Sequence, residues 1–276
     1  MVTKFQFISL DQRKQPHADF FWMQEGKASH NRPYIHCVLP KGICLLIYVY
    51  KGSFQLDHND CVFQEGDLVI GGQLSKIGRF IVKEDFGLFA LCLQPYAIPA
   101  LLSLPGRDFM DQVMRSTAFK FDWLDVLQDK LRATSTNQER MQLMLQELSY
   151  MNKRLIKIDP RFSKLLNEMR NPDPRHMQKI LAKSNVSQRQ FQRTFKQLTG
   201  YTPKQFQRIA RLQPILDKAY PSNLTQLALE FGYYDQSHFI NDFKKITGGI
   251  TPSQYYEGVD ALKWKSLGES IAFFQS

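Results

Sequence analysis

The chain has 276 residues, 43% of them hydrophobic, with 36 Lys and Arg against 26 Asp and Glu and a net charge of +10. This length and apolar content predict two domains with ordinary cores and exclude a chain disordered throughout. No run of about 18 apolar residues is present and the start, Met-Val-Thr-Lys-Phe-Gln-Phe-Ile, lacks the apolar stretch of a secretory signal, so a cytoplasmic protein with no membrane contact is expected.

Residues 1 to about 100 read as short strands. Val38-Leu39 leads into a Pro40-Lys41-Gly42 turn, and Ile43 to Tyr50 is a β-rich apolar run stopped by Lys51-Gly52. Further runs at Ser53 to Leu56, Leu68 to Ile70, Gly78 to Val82 and Leu88 to Leu93 are separated by Gly, Asp and Asn. Such spacing predicts a β-sandwich or small barrel able to enclose a small ligand. Tyr34, His36, Tyr48, Phe54, Phe63 and Phe80, aromatic or polar positions in these strands, are the candidate effector-binding residues.

This part of the chain holds all four cysteines, Cys37, Cys44, Cys61 and Cys92, none of them in a C-x-x-C pair. Reduced, buried thiols are expected, with neither disulfide nor metal site. His36 and His58 invite a metal-dependent cupin reading, but no His-x-His with a following carboxylate accompanies them. A Gly-rich phosphate loop, a serine nucleophile elbow and a paired-carboxylate signature are likewise missing from the sequence, so no catalytic residue and no cofactor is expected.

From about Pro95 the pattern becomes helical. Trp123, Leu124, Leu127 and Leu131 share one helical face, and Met141, Leu145, Leu148 and Met151 share another after a Thr-Ser-Thr-Asn break. An antiparallel helix pair linking two domains is expected over residues 116–158, with a dimer interface as the alternative. Asn171-Pro-Asp-Pro174 then breaks the chain. Beyond it the charge turns one-sided: Arg161 to Glu257 carry 15 Lys and Arg against 7 Asp and Glu, eight of the ten net positive charges. A basic domain beside a nearly neutral one points to a polyanionic partner.

Within this basic segment one phrase is written twice. Phe191, Phe195, Lys196, Thr199 and Gly200 return as Phe239, Phe243, Lys244, Thr247 and Gly248, each 48 residues on, which signals a duplicated unit. Each copy parses as helix, turn and second helix. In the first, Arg175 to Ala182 precede an Asn185 turn, and Ser187 caps a helix to about Leu198; in the second, Leu224 to Phe231 precede Gly232, and Asp235 caps a helix to about Ile246. Phe191, Phe195 and Leu198, like Phe239, Phe243 and Ile246, fall at i, i+4 and i+7 and are predicted to be buried.

The opposite faces carry the chemistry. In the first copy Gln188, Arg189, Gln192, Arg193 and Lys196 offer side chains that form paired hydrogen bonds to base edges from a helix in the major groove. The second copy offers Gln236, Ser237, Asn241 and Lys244, weaker readers with a single cation, so the first is expected to discriminate more. Between them Lys204 to Ala219 reads as a connecting helix that Pro214 is expected to bend. Sixteen residues reach about 24 Å as a helix, compatible with two reading helices about 34 Å apart on one face of duplex DNA.

The pattern F-x-R-x-F-K-x-x-T-G-x-T-P, followed by G-Y-x-D-Q-S-H-F-x-x-x-F-K-x-x-T-G and T-P-S-Q-Y, resembles the two halves of the AraC/XylS-type DNA-binding domain over about Asp173 to Glu257. The resemblance implies a bacterial transcription regulator with seven helices in this domain. It places base reading at Arg189, Gln192 and Arg193 and at Gln236, Ser237 and Asn241, with Asn241 standing where an Arg is common. The phrase from Leu39 to Tyr48 is similar to the β-rich sensor half of some members.

The expected architecture is therefore α+β: a β-sandwich or barrel-like sensor domain (1–115), the helical linker (116–158), an all-α domain with two helix-turn-helix motifs (159–258) and a tail (259–276). Ser187, Lys196 and Lys244 join the base readers as expected DNA contacts. Expected partners are promoter duplex DNA, RNA polymerase, a small-molecule effector and a second copy of the chain. The alternatives are a protein-interaction module that has lost DNA binding and a cupin-like enzyme fused to a DNA-binding domain. Gly248-Gly249-Ile250-Thr251 is one residue longer than Gly200-Tyr201-Thr202 and predicts a shifted start for the last helix.

Overall fold

The two longest apolar runs of the β-rich half, β4 (Cys44–Lys51) and β9 (Phe86–Leu93), lie side by side in the middle of a sheet and are covered on both faces. Strands buried on both sides read as unbroken apolar sequence, because neither face needs polar residues. The computed structural model describes residues 3–11, 13–57, 61–155, 158–170, 187–216 and 223–256. Around β4 and β9, β1 (Thr3–Ser9), β2 (Ala18–Gly26), β7 (Leu68–Gly71) and β10 (Val113–Arg115) complete a six-stranded antiparallel sheet in the order β1-β2-β9-β4-β7-β10. A second antiparallel sheet, β3-β8-β5-β6, consists of β3 (Tyr34–Val38), β5 (Ser53–Leu56), β6 (Val62–Gln64) and β8 (Gly78–Val82).

The sheets face each other as a sandwich, and alternation along β4 decides what each residue meets. Ile47 and Val49 point between the sheets with Tyr34, Phe54, Phe63 and Phe80. Cys44, Leu46 and Tyr48 point the other way, into a core closed by α1 (Ala97–Leu102), α2 (Asp122–Arg132) and α3 (Asn137–Leu155). The helix pair expected as a linker thus packs on the six-stranded sheet. Leu124, Leu127 and Leu131 are buried there with Met144, Leu148, Met151 and Leu155, while Met141 and Leu145 are half-buried. β10 falls where helix was expected, because three residues suffice to extend the sheet edge alongside β7. Cys44 and Cys92 are buried free thiols, and burial pushes Cys44 up to about 12 and raises Cys92 well above its usual range; Cys61 is also free but, against expectation, only half-buried.

The helical half contains α4 (Pro160–Met169), α5 (Gln188–Thr199), α6 (Pro203–Leu216), α7 (Leu224–Glu230), α8 (Gln236–Thr247) and α9 (Pro252–Tyr256). The repeat is visible in how α6 and α9 begin. Each opens with Pro at its first position, after a Thr whose hydroxyl accepts from the N–H of a Gln three residues on, while that Gln side chain accepts from the Thr N–H. The pairs are Thr202 with Gln205 and Thr251 with Gln254. The extra residue of the second copy does not disturb this start: Gly249, at φ +104°, absorbs it in the left-handed region that glycine adopts without strain. The helix expected at Arg175 to Ala182, the Asn185 turn, the connecting helix beyond Leu216, His58 and the tail from Val259 lie outside the described residues.

Both halves share one core. Leu39, from the β3–β4 loop, is buried among Phe162, Phe195, Phe206 and Ile209 of the helical half. Arg170, at the end of α4, donates to the carbonyls of Lys41 (3.3 Å) and Gly42 (3.2 Å) and to Gln94 Oε1 (3.2 Å), with Asp19 Oδ2 at 3.5 Å. Gln213 Nε2 donates to the Pro40 carbonyl at 2.7 Å. Gly42 is required: φ is +62°, and a Cβ there would lie 2.5 Å from Phe206 Cε2.

Candidate nucleic-acid interface

α5 starts at Ser187, whose hydroxyl accepts from the Gln190 N–H at 3.3 Å, and stops at Gly200 in the left-handed conformation. Phe191, Phe195 and Thr199 are buried, with Leu198 half-buried beside them. That orientation leaves Gln188, Arg189, Gln192, Arg193 and Lys196 exposed together on the outer face. α8 repeats the construction: Asp235 accepts from the His238 N–H at 2.7 Å, Phe239, Phe243 and Ile246 are buried, and Gly248 ends the helix at φ 72°. Ser237, Asn241 and Lys244 are exposed, whereas Gln236 is half-buried and accepts from Thr225 Oγ1 at 3.0 Å.

Three features of the second module went unread in the sequence. Lys245 is also exposed on α8 and adds a cation. Tyr234, directly before the Asp235 cap, is 88% exposed, because Tyr233 takes the inward position and the next residue must point out. Asp242 lies on the inner side of α8, with Arg208 Nε of α6 at 2.9 Å and His238 Nε2 at 3.7 Å. The Arg208 contact is an ion pair by distance whose N–H is not aimed at the oxygen. The signal for it was available: Asp242 sits three residues after Phe239, on the face that carries the apolar stripe, and a carboxylate there needs a partner.

The other candidate site lies between the sheets. A cavity of about 80 Å3 is lined by Tyr34, His36, Phe54 and Phe80, together with Trp22 and Gln24. Tyr48 does not reach it, because β4 turns that side chain toward α3, with the Arg140 guanidinium 5.9 Å from its ring centre. Phe63 stacks on Phe54 behind the lining, ring centres 4.9 Å apart. Gln24 Nε2 donates to Tyr34 Oη at 2.9 Å, and that oxygen is 3.0 Å from His36 Nδ1. Burial lowers the His36 pKa to about 4, so the ring is neutral near pH 7 and shares a hydrogen bond with the tyrosine hydroxyl whose direction is set by the ring tautomer. At its far end the cavity wall is Leu39 and Lys41 of one loop and Gly72 and Leu74 of another. Among the described residues no group of three or more His, Cys, Asp or Glu is placed to hold a metal ion, and no helix is long and apolar enough to cross a membrane.

Comparison with known proteins bears on the helical half. The family model described as a helix-turn-helix domain matches residues 180–258. The HTH-type transcriptional regulator MtrA of Neisseria gonorrhoeae is 33% identical over 85 residues, 30% of this chain and 28% of that protein, so the match spans little more than a quarter of the relative's length. Among solved structures, ToxT from Vibrio cholerae O395 superposes over 86% of this chain and 97% of its own, at 14% identity and a TM-score of 0.43. The AraC-like transcriptional activator CuxR covers 92% of this chain and 81% of its own, at 10% identity and a TM-score of 0.29. The matched segment, 180–258, contains the two capped helices that expose polar faces and bury matching phenylalanines, and it is similar to a helix-turn-helix domain, the kind of unit that the repeated phrase predicts.

Proposed function

We propose that the protein is a sequence-specific DNA-binding transcription regulator, acting in the cytoplasm, whose two modules read successive major grooves of a promoter. The observation that carries this reading is the pair of N-capped helices, α5 and α8, each with an apolar face buried in one shared core and a polar face open to solvent. Arg189, Gln192 and Arg193 are the principal readers, and Ser237 and Asn241 contribute less. Gln236, held by Thr225, orients the start of α8. Lys196, Lys244 and Lys245 meet phosphates.

Binding of the purified chain to duplexes selected from a random pool is expected to weaken steeply with salt, because each neutralised phosphate releases counterions. No selected duplex bound even at low salt would end this reading. Arg193→Ala is expected to cost about 1–3 kcal/mol and to relax preference at one base pair, measured by titration against single-base variants of the selected site. A uniform loss over all sequences would make Arg193 a phosphate contact instead.

The cavity between the sheets is proposed as the effector site. Its aromatic wall and neutral hydrogen-bonding trio suit a small, largely apolar molecule, and the two loops at its end give such a molecule a mechanical route to the helical half. An effector shifts DNA binding only by preferring one arrangement of those loops to another. Tyr34→Phe is expected to weaken effector binding without changing DNA affinity in its absence.

A further inference from the structure

The β7–β8 loop, residues 72–77, touches both modules at the same kind of place. Tyr201, immediately past the end of α5, donates its hydroxyl to the Leu74 carbonyl at 2.7 Å. The Ile77 N–H donates to the Ile246 carbonyl at 2.8 Å, satisfying one of the carbonyls left without a partner in the last turn of α8. The Ile77 side chain packs on the helical core, and a Cβ on Gly248 would lie 3.5 Å from it.

A second segment reinforces the first. Residues 106–111 follow α1 and begin with a short 3-10 turn, Gly106–Phe109, and Gly106 packs against the end of α5 so closely that a Cβ on it would sit 2.4 Å from the Gly200 nitrogen. The two segments form one unit: the Ser75 N–H and hydroxyl both donate to the Asp111 carboxylate, at 2.7 and 2.6 Å, and the Asp111 N–H donates to the Gln73 carbonyl at 2.7 Å. The β-rich half therefore grips the C-terminal ends of both recognition helices with a single hydrogen-bonded piece, on the side away from their N-terminal reading residues.

We infer that this clasp, residues 72–77 with 106–111, sets the separation of the two recognition helices and so determines which half-site spacing the protein accepts. α6 alone joins the modules covalently through one helix and its flanking segments, whereas the clasp adds a second, independent tie between α5 and α8. Two independent ties fix a distance more tightly than one. Gly72 and Leu74 also form part of the cavity wall, so the same piece lies between the proposed effector site and the spacing of the readers. The inference rests on the DNA-binding reading, and its test separates the two.

A duplex selected by the wild-type chain from a random pool serves as the probe, and its two half-sites are then moved apart or together by one and two base pairs. Wild type is expected to lose at least tenfold in affinity for each base pair of displacement. Tyr201→Phe, which removes only the bond to Leu74, and Gly106→Ala, which forces the 3-10 turn off α5, are expected to reduce that loss to about threefold or less. Binding to a duplex bearing the first half-site alone is expected to stay within twofold. Relaxed spacing supports the clasp whichever way overall affinity moves. Tyr201→Phe that folds with unchanged melting yet keeps the wild-type spacing preference overturns it, as does a Gly106→Ala chain that keeps that preference; a wild type that binds no duplex overturns the underlying reading instead.

Discussion

Replacing Arg208 with alanine is expected to destabilise the helical half by about 3–5 kcal/mol, the cost of stranding the buried partner of an ion pair. Asp242 is only 8% exposed and Arg208 22%, so after the substitution the carboxylate stays inside with the guanidinium gone and, among the described residues, His238 Nε2 at 3.7 Å as its remaining ion-pair partner. Against a total stability of roughly 5–15 kcal/mol, a loss of that size is the difference between a folded and a partly unfolded domain at physiological temperature. Denaturant melts of the full chain measure it as a drop in the midpoint of the transition that includes the helical half. Arg208→Met combined with Asp242→Leu removes both charges and fills the same space, and is expected to recover most of the loss. A single variant that melts within about 1 kcal/mol of wild type would show that the pair contributes little, since a surface pair is worth no more than that. The proposed DNA binding is expected to weaken with it, because the pair is the only ionic link between α6 and α8 among the described residues.

Acid is expected to remove about 3 kcal/mol from the β-rich half through His36 alone. The ring is 5% exposed, stacked between Trp22 and Phe80, with ring centres 5.9 and 6.3 Å away. Burial lowers its pKa from 6.5 to about 4, and each unit is worth about 1.4 kcal/mol between folded and unfolded states. Because the folded value is depressed, the contribution is complete above pH 6.5, where both states hold a neutral ring. Below it the unfolded chain takes up the proton and the folded chain does not, so stability falls until about pH 4 and changes no further from this group. Burial of His17 lowers its pKa too and adds in the same direction. His36→Gln keeps a polar partner for the Tyr34 hydroxyl, able to donate or accept, but cannot titrate. Melts of both chains between pH 7 and 4 are expected to converge as pH falls, and parallel losses would clear His36 of the effect.

The exposed polar faces of α5 and α8 were legible in the sequence because three signals agreed at each: phenylalanines four apart, a Ser or Asp cap before them, and a Gly after them. Tyr48 and Phe63 show where such agreement was lacking. β4 is apolar on both faces, so alternation could not say whether Tyr48 or its neighbour Ile47 looked between the sheets. The fate of the helix pair was hidden for a related reason, since a helix that lies on a sheet and one that bridges domains carry the same apolar stripe. Asp242 was legible in principle, as an acidic residue on an apolar face, but its partner lies 34 positions earlier on another helix, a pairing that only the fold brings together. The clasp was beyond reach, being built largely from main-chain groups, which every residue but proline carries alike.

Leu39 gives the molecule an order in time as well as in space. It is made before almost everything that will surround it: Phe162, Phe195, Phe206 and Ile209 all follow by more than a hundred residues. Domains close as units, the N-terminal one first during synthesis. Until the helical half leaves the ribosome, the sandwich therefore carries an uncovered leucine on a loop whose carbonyls at Pro40, Lys41 and Gly42 still wait for Gln213 and Arg170. A nascent chain stalled before that half arrives presents this loop uncovered, together with the 72–77 and 106–111 segments that pack on the same helices.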